Sequence, residues 1–206
     1  MRFKNGSLAE TLLSIGGLQW FFSIVIAEGS HLGFNITPNE LIPYSSKIHY
    51  ISDLGVGSTA LLFNTSLFLM GLMVAIASFL LQREFNSKTF SVFLLIAGIG
   101  SMGVALFPTN IQPIHGIFQL IAMLFGAFSA IIAYRLQKSP LSYIFLFLGV
   151  FSLIASVVFY PYLGLSVNDT VTYLGLGKGA MERLAIYPIL MWVIGFGFHL
   201  MARTKD

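Results

Sequence analysis

Few residues in this chain have chemistry to offer, and they fall beside apolar runs. The stretch His49-Tyr-Ile-Ser-Asp-Leu-Gly55 sets an imidazole, a hydroxyl and a carboxylate within five positions, just before such a run. Asn64 lies about one helical turn into that run. His115 follows Pro113 at the head of another, with Gln119 one turn deeper on the same helical face. Glu182 and Arg183 are adjacent before the last. A hydroxyl, an imidazole and a carboxylate are the parts of acyl transfer, with Ser52 as nucleophile, His115 or His49 as base and Asp53 or Glu182 orienting it. A metal-bound water in place of Ser52 is the hydrolytic variant. Arg183 with Lys178 suits an anionic head group, since guanidinium matches phosphate geometry. Each group also has a structural use: a His can cap a helix, and buried charges can pair to fix register.

What positions these residues follows from composition. The 206 residues are 56% hydrophobic and only 9% charged, and a mean hydropathy of +0.85 exceeds what one water-soluble core requires. The apolar residues come in runs long enough to cross about 30 Å of hydrocarbon as helix. Six run from Thr11 to Ala27, Ala60 to Leu81, Thr89 to Phe107, Gly116 to Leu136, Leu141 to Tyr162 and Leu184 to Ala202. They lack the alternation of barrel strands. Backbone groups in lipid must be satisfied within the chain, so the expected fold is all-α, a polytopic six-helix bundle forming a single domain over 1–206. No internal repeat or linker divides it.

Lysine and arginine set the orientation. Arg2, Lys4, Arg83, Lys88, Arg135, Lys138, Arg203 and Lys205 fall on one side, eight of the eleven, which predicts both termini cytoplasmic and a plasma-membrane, multi-pass protein. Glu28, His31, Glu40, His49, Asp53, His115, Asp169 and Glu182 then all lie outside, all but His115 within the long loops Glu28 to Thr59 and Gly164 to Arg183. Loops of that length are expected to cap the bundle. The net charge of +3 reflects inner loops and not nucleic-acid binding. The opening Arg2 and Lys4, an apolar stretch and Val25-Ile-Ala27 also resemble a secretory signal, whose removal would leave the other spans oriented alike. Asn35-Ile-Thr and Asn168-Asp-Thr fit the glycosylation pattern on the outer side.

Small residues, among them Gly16, Gly17, Gly98, Gly100, Gly103, Gly126 and Gly197, supply the surfaces on which spans approach, within the chain or in a second copy of it. Gly55 and Gly57 are expected to turn the chain sharply into the second span, with Ser58 or Thr59 as its N-cap. Asp53 is the expected partner of Arg183, and a histidine that of Glu182.

His49-Tyr-Ile-Ser-Asp-Leu-Gly55 before a span, Phe107-Pro108 and then His115 opening the next, and Glu182-Arg183 before the last resemble the DUF998 family of six-span prokaryotic membrane proteins. The Ile51-Ser52-Asp53 element is also similar to elements of the eukaryotic Frag/DRAM/Sfk membrane proteins. The resemblance covers nearly the whole chain through short motifs. It implies six spans and, through the eukaryotic proteins, a link to lipid handling; it carries no catalytic residues. Ser52, Asp53, Gly55, His115, Glu182 and Arg183 are the positions it marks.

The favoured reading is a non-catalytic protein whose outward-facing polar pocket, built from Ser52, Asp53, His115, Gln119, Glu182, Arg183, His49 and Asn64, binds a lipid head group or a small polar ligand, or docks a protein partner. No metal or cofactor is assigned. The alternative is an intramembrane hydrolase or acyltransferase acting on lipid; against it, the sequence holds no His-x-x-x-His pair and no Gly-x-Ser-x-Gly elbow. Transport would call for charge near mid-span and repeat symmetry, and both are lacking.

Overall fold

The computed structural model describes residues 6–37, 40–137, 140–166 and 169–203. Arg2, Lys4, Lys138 and Lys205 of the charge pattern, and Asn168 of the second glycosylation pattern, lie outside the described residues.

Six helices form as the hydropathy requires: α1 (Gly6–Ser30), α2 (Ala60–Phe85), α3 (Lys88–Leu106), α4 (Ile114–Leu136), α5 (Leu141–Phe159) and α6 (Lys178–Arg203). All are long and apolar enough to cross a membrane. Each packs on its neighbour in sequence and α6 returns to α1, which closes a ring; α4 also touches α6 across it. The chain is thus an all-α, multi-pass integral membrane protein.

Contacts in the ring depend on absent side chains, because lipid offers no hydrophobic drive for helices to associate. Where α2 crosses α3, a Cβ on Gly71 would sit 2.7 Å from the Gly98 carbonyl oxygen, and one on Gly98 would sit 2.7 Å from that of Gly71. Gly100 meets the Ala122 backbone nitrogen of α4 at 2.6 Å in the same sense. Gly149 of α5 lies against the Ala127 carbonyl, and Gly197 of α6 against Ser14 of α1. Pro188 interrupts the hydrogen bonding of α6, and Ser152 of α5 donates to the nearby Ala185 carbonyl at 2.5 Å.

One end of the ring is covered. Between α1 and α2 lie a hairpin of β1 (Phe34–Thr37) and β2 (Glu40–Ile42), a turn at 45–49 and a short 3-10 turn, Ser52–Gly55. A second hairpin, β3 (Thr172–Tyr173) and β4 (Leu176–Gly177), leads directly into α6. Tyr162 ties that hairpin down: its hydroxyl accepts from the Tyr173 amide at 2.8 Å and donates to the Leu176 carbonyl at 2.7 Å.

Two local expectations are corrected. The sixth helix begins at Lys178 and not near Leu184, because Lys178 and Glu182 are buried among protein groups that satisfy them and need no water. The proposed N-cap of α2 does not form. The Thr59 hydroxyl donates back to the Leu54 carbonyl at 2.8 Å, and Ser58 accepts from the Leu32 amide at 3.2 Å. Gly57 does turn the chain, at φ +81°. Gly55 serves close approach instead, since a Cβ there would lie 2.5 Å from Asn64 Oδ1.

Candidate functional site

The 3-10 turn at Ser52 is drawn into the mouth of the ring by a carboxylate. Glu182, one turn into α6 and fully buried, accepts the Ile51 amide through Oε2. Its Oε1 accepts Ser52 Oγ at 3.1 Å and Gln119 Nε2 of α4 at 2.6 Å. Three donors from segments more than sixty residues apart in sequence therefore surround one carboxyl group. This satisfies a group that is costly to bury alone.

Asp53 points to a neighbouring position. Its Oδ2 accepts the Tyr50 amide at 2.8 Å, while Oδ1 is buried without a hydrogen bond. Burial pushes this carboxyl above the ordinary carboxylate range, against the pull of the Tyr50 amide and the Lys178 charge. The expected Asp53–Arg183 pair is not made. Neighbours on a helix point about 100° apart, so Arg183 turns away from Glu182 to the outside of the ring, where Glu28 at the end of α1 receives its Nε and Nη2. Its Nη1 donates to the carbonyls of Ser46, His49 and Gly179 at 2.6, 3.1 and 2.8 Å, and Nη2 also reaches the Tyr44 hydroxyl. One guanidinium thereby ties the 44–49 segment to α1 and α6. Glu182 likewise takes no histidine.

His49 accepts the Ser45 amide at Nδ1 (2.8 Å), so its ring hydrogen sits on Nε2. Tyr44 stacks on the ring with centroids 5.6 Å apart, and Phe34 lies 4.9 Å away. Burial, and then the Lys178, His31 and Arg183 charges, lower its pKa to about 4. Above pH 6.5 this His is neutral folded or unfolded, and its full contribution is present. As pH falls from 6.5 towards 4 only the unfolded chain takes up the proton, so stability is lost. Asp53, raised, acts in the opposite sense. Wild type is therefore expected to lose about 2 kcal/mol relative to His49→Gln between pH 7 and pH 4.5, measured as the difference of their thermal unfolding in detergent.

His115 is held by Nδ1 at the Phe107 carbonyl, 2.7 Å away; a carbonyl only accepts, so Nε2 carries the lone pair, and it is buried without a hydrogen bond. Asn64 donates to the Gly55 carbonyl at 2.9 Å and braces the turn from outside the network. Of the eight candidate residues, then, Ser52, Gln119 and Glu182 converge and Asp53 adjoins them, while Arg183 and His49 hold the 44–49 segment, Asn64 the Ser52 turn and His115 the connection between α3 and α4.

Beneath the network lies a cavity that composition did not announce. It lies between α2, α3, α4 and α6 and is partly open to the exterior, with about 730 Å³ of space not filled by atoms when the open solvent at its mouth is counted. Ser52, Gln119 and Ile51 form its capped end, and its walls are Leu, Val, Met and Ala side chains such as Leu67, Met70 and Val104. Towards the other end Trp192 stacks on Phe196, centroids 5.6 Å apart, and Phe196 packs on Phe85, Phe90 and Phe145. Trp20 and Trp192 both line the cavity, and both indole N–H groups are buried with no acceptor among the described residues. Sequence reasoning missed these two tryptophans, as well as Glu28 and Tyr44. Glu28 alone gave a signal, as an acidic residue at the outer end of a span.

No Ser–His hydrogen bond is made by Ser52, whose hydroxyl donates to Glu182. Among the described residues no group of three His, Asp or Glu side chains converges as metal ligands do.

Residues 40–199 match the model of a family described as protein of unknown function (DUF998). No curated protein and no solved structure matches the chain.

Proposed function

Because the chain belongs to the DUF998 family, whose description assigns no activity, we propose from the site alone that this membrane protein binds a lipid inside its helical ring. The lipid's tail occupies the apolar cavity and its head meets Ser52 and Gln119 beneath Glu182. The observation that carries this reading is the cavity itself, apolar along its walls with Ser52 and Gln119 at one end, the kind of lining that small-molecule sites have.

This differs from an open pocket gripping a head group through Arg183. That guanidinium is engaged by Glu28, Tyr44 and three carbonyls and does not line the cavity. Acyl transfer is less well supported, since the Ser52 hydroxyl faces a carboxylate with no imidazole on it. In the proposed setting the covered end faces outward from the plasma membrane and both termini are cytoplasmic, with Arg83, Lys88, Arg135 and Arg203 at the inner ends of their helices.

Ala122 lines the cavity from α4, and Ala122→Phe places a ring in that space. Lipid extracted from protein purified in mild detergent is expected at about one tightly held molecule per chain in wild type, and at well below half of that in Ala122→Phe. Equal amounts in both would refute the reading.

A further inference from the structure

We infer that the lipid held in this cavity is a neutral one whose head donates through a hydroxyl, and that anionic phospholipids are refused. This rests on the lipid-binding reading and specifies its ligand class. The polar end of the cavity is unusual in what it offers. Glu182 already receives three donors, from Ile51, Ser52 and Gln119. What Ser52 and Gln119, the polar residues of that end, can still offer is the remainder: lone pairs on Ser52 Oγ, and the carbonyl oxygen and second amide hydrogen of Gln119. That set favours a group that both donates and accepts, which is a hydroxyl.

A phosphate would find no cationic side chain lining the cavity. The two nearest cations are turned elsewhere: Arg183 faces Glu28 outside the ring, and Lys178 donates to the Ser166 carbonyl with its ammonium 5.0 Å from the Tyr50 ring centre. Neither lines the cavity. A second anion beside Glu182, walled by Ile51, Met123 and Ile186, would be desolvated without compensation.

The sequence contains two tryptophans, and both line the cavity, so their fluorescence reports its occupant. The probes are a diacylglycerol and a phosphatidic acid carrying the same dibrominated acyl chains, added to the full-length protein in detergent micelles, with unbrominated dioleoylglycerol as competitor. Brominated diacylglycerol is expected to quench saturably at a mole fraction at least tenfold lower than phosphatidic acid, and dioleoylglycerol to reverse it. Gln119→Leu is expected to reduce that preference to less than threefold. Because Gln119→Leu also removes a bond to Glu182, the comparison of the two heads on wild type decides the matter alone. Equal saturable quenching by both lipids, reversed by dioleoylglycerol, would overturn the hydroxyl preference while leaving lipid binding intact. Quenching by neither, or quenching that rises linearly and is not reversed, would overturn the lipid-binding reading as well.

Discussion

Glu182→Ala is expected to destabilise the folded protein by about 4 kcal/mol, seen as a fall of roughly 10 °C or more in Tm in detergent. The magnitude follows from what the carboxyl group holds. Removing it leaves the Ile51 amide, the Ser52 hydroxyl and the Gln119 amide as buried donors at once, and each orphan donor costs about 1–3 kcal/mol. Relief of repulsion with Asp53 offsets part of that sum. Glu182→Gln keeps the shape and one acceptor but turns an amide hydrogen towards at least one of the donors, so its expected cost is smaller, about 2 kcal/mol. If Glu182→Ala unfolded at the wild-type temperature, Glu182 would not be the post on which α4, α6 and the Ser52 turn meet.

Arg183→Ala is expected to cost about 3 kcal/mol and to loosen the 44–49 segment, so that protease cuts there much faster than in wild type. The substitution strands the partly buried Glu28 and frees the Ser46, His49 and Gly179 carbonyls together. Arg183→Lys should recover little, because one ammonium cannot span a carboxylate, a phenol and three carbonyls. A double-mutant cycle separates the observed partner from the one the sequence suggested. Glu28→Ala and Arg183→Ala should be strongly non-additive, while Asp53→Ala and Arg183→Ala should add. Coupling to Asp53 and additivity with Glu28 would contradict the geometry.

Hydropathy made the six spans and the all-α ring legible, because a bilayer imposes a length on every crossing segment. It misplaced the start of α6. Lys178, Glu182 and Arg183 read as loop when water is taken to be the only partner for charge, yet each finds protein partners at the end of the ring. Assigning residues to sides grouped Ser52, Asp53, Gln119 and Glu182 at one end, but it gave Arg183 the wrong partner, Asp53 in place of Glu28. That choice depends on the rotation of α6 about its axis, which sequence spacing alone does not fix. The cavity was not legible at all. Its walls are Leu, Val, Met and Ala, the same residues that face lipid on the outside of the ring, and only the packing distinguishes a wall from an outer surface. The tryptophans were invisible as site residues for the same reason.

The most direct test of the central claim, that the Ser52–Gln119–Glu182 network caps an occupied apolar cavity, is an experimental density map of the protein in lipid nanodiscs. The account predicts an elongated density inside the ring, running from Gln119 towards Trp192, and its loss in Ala122→Phe. A ring whose Leu67, Met70 and Val104 side chains close onto α6 and leave no space beneath Ser52 would contradict it.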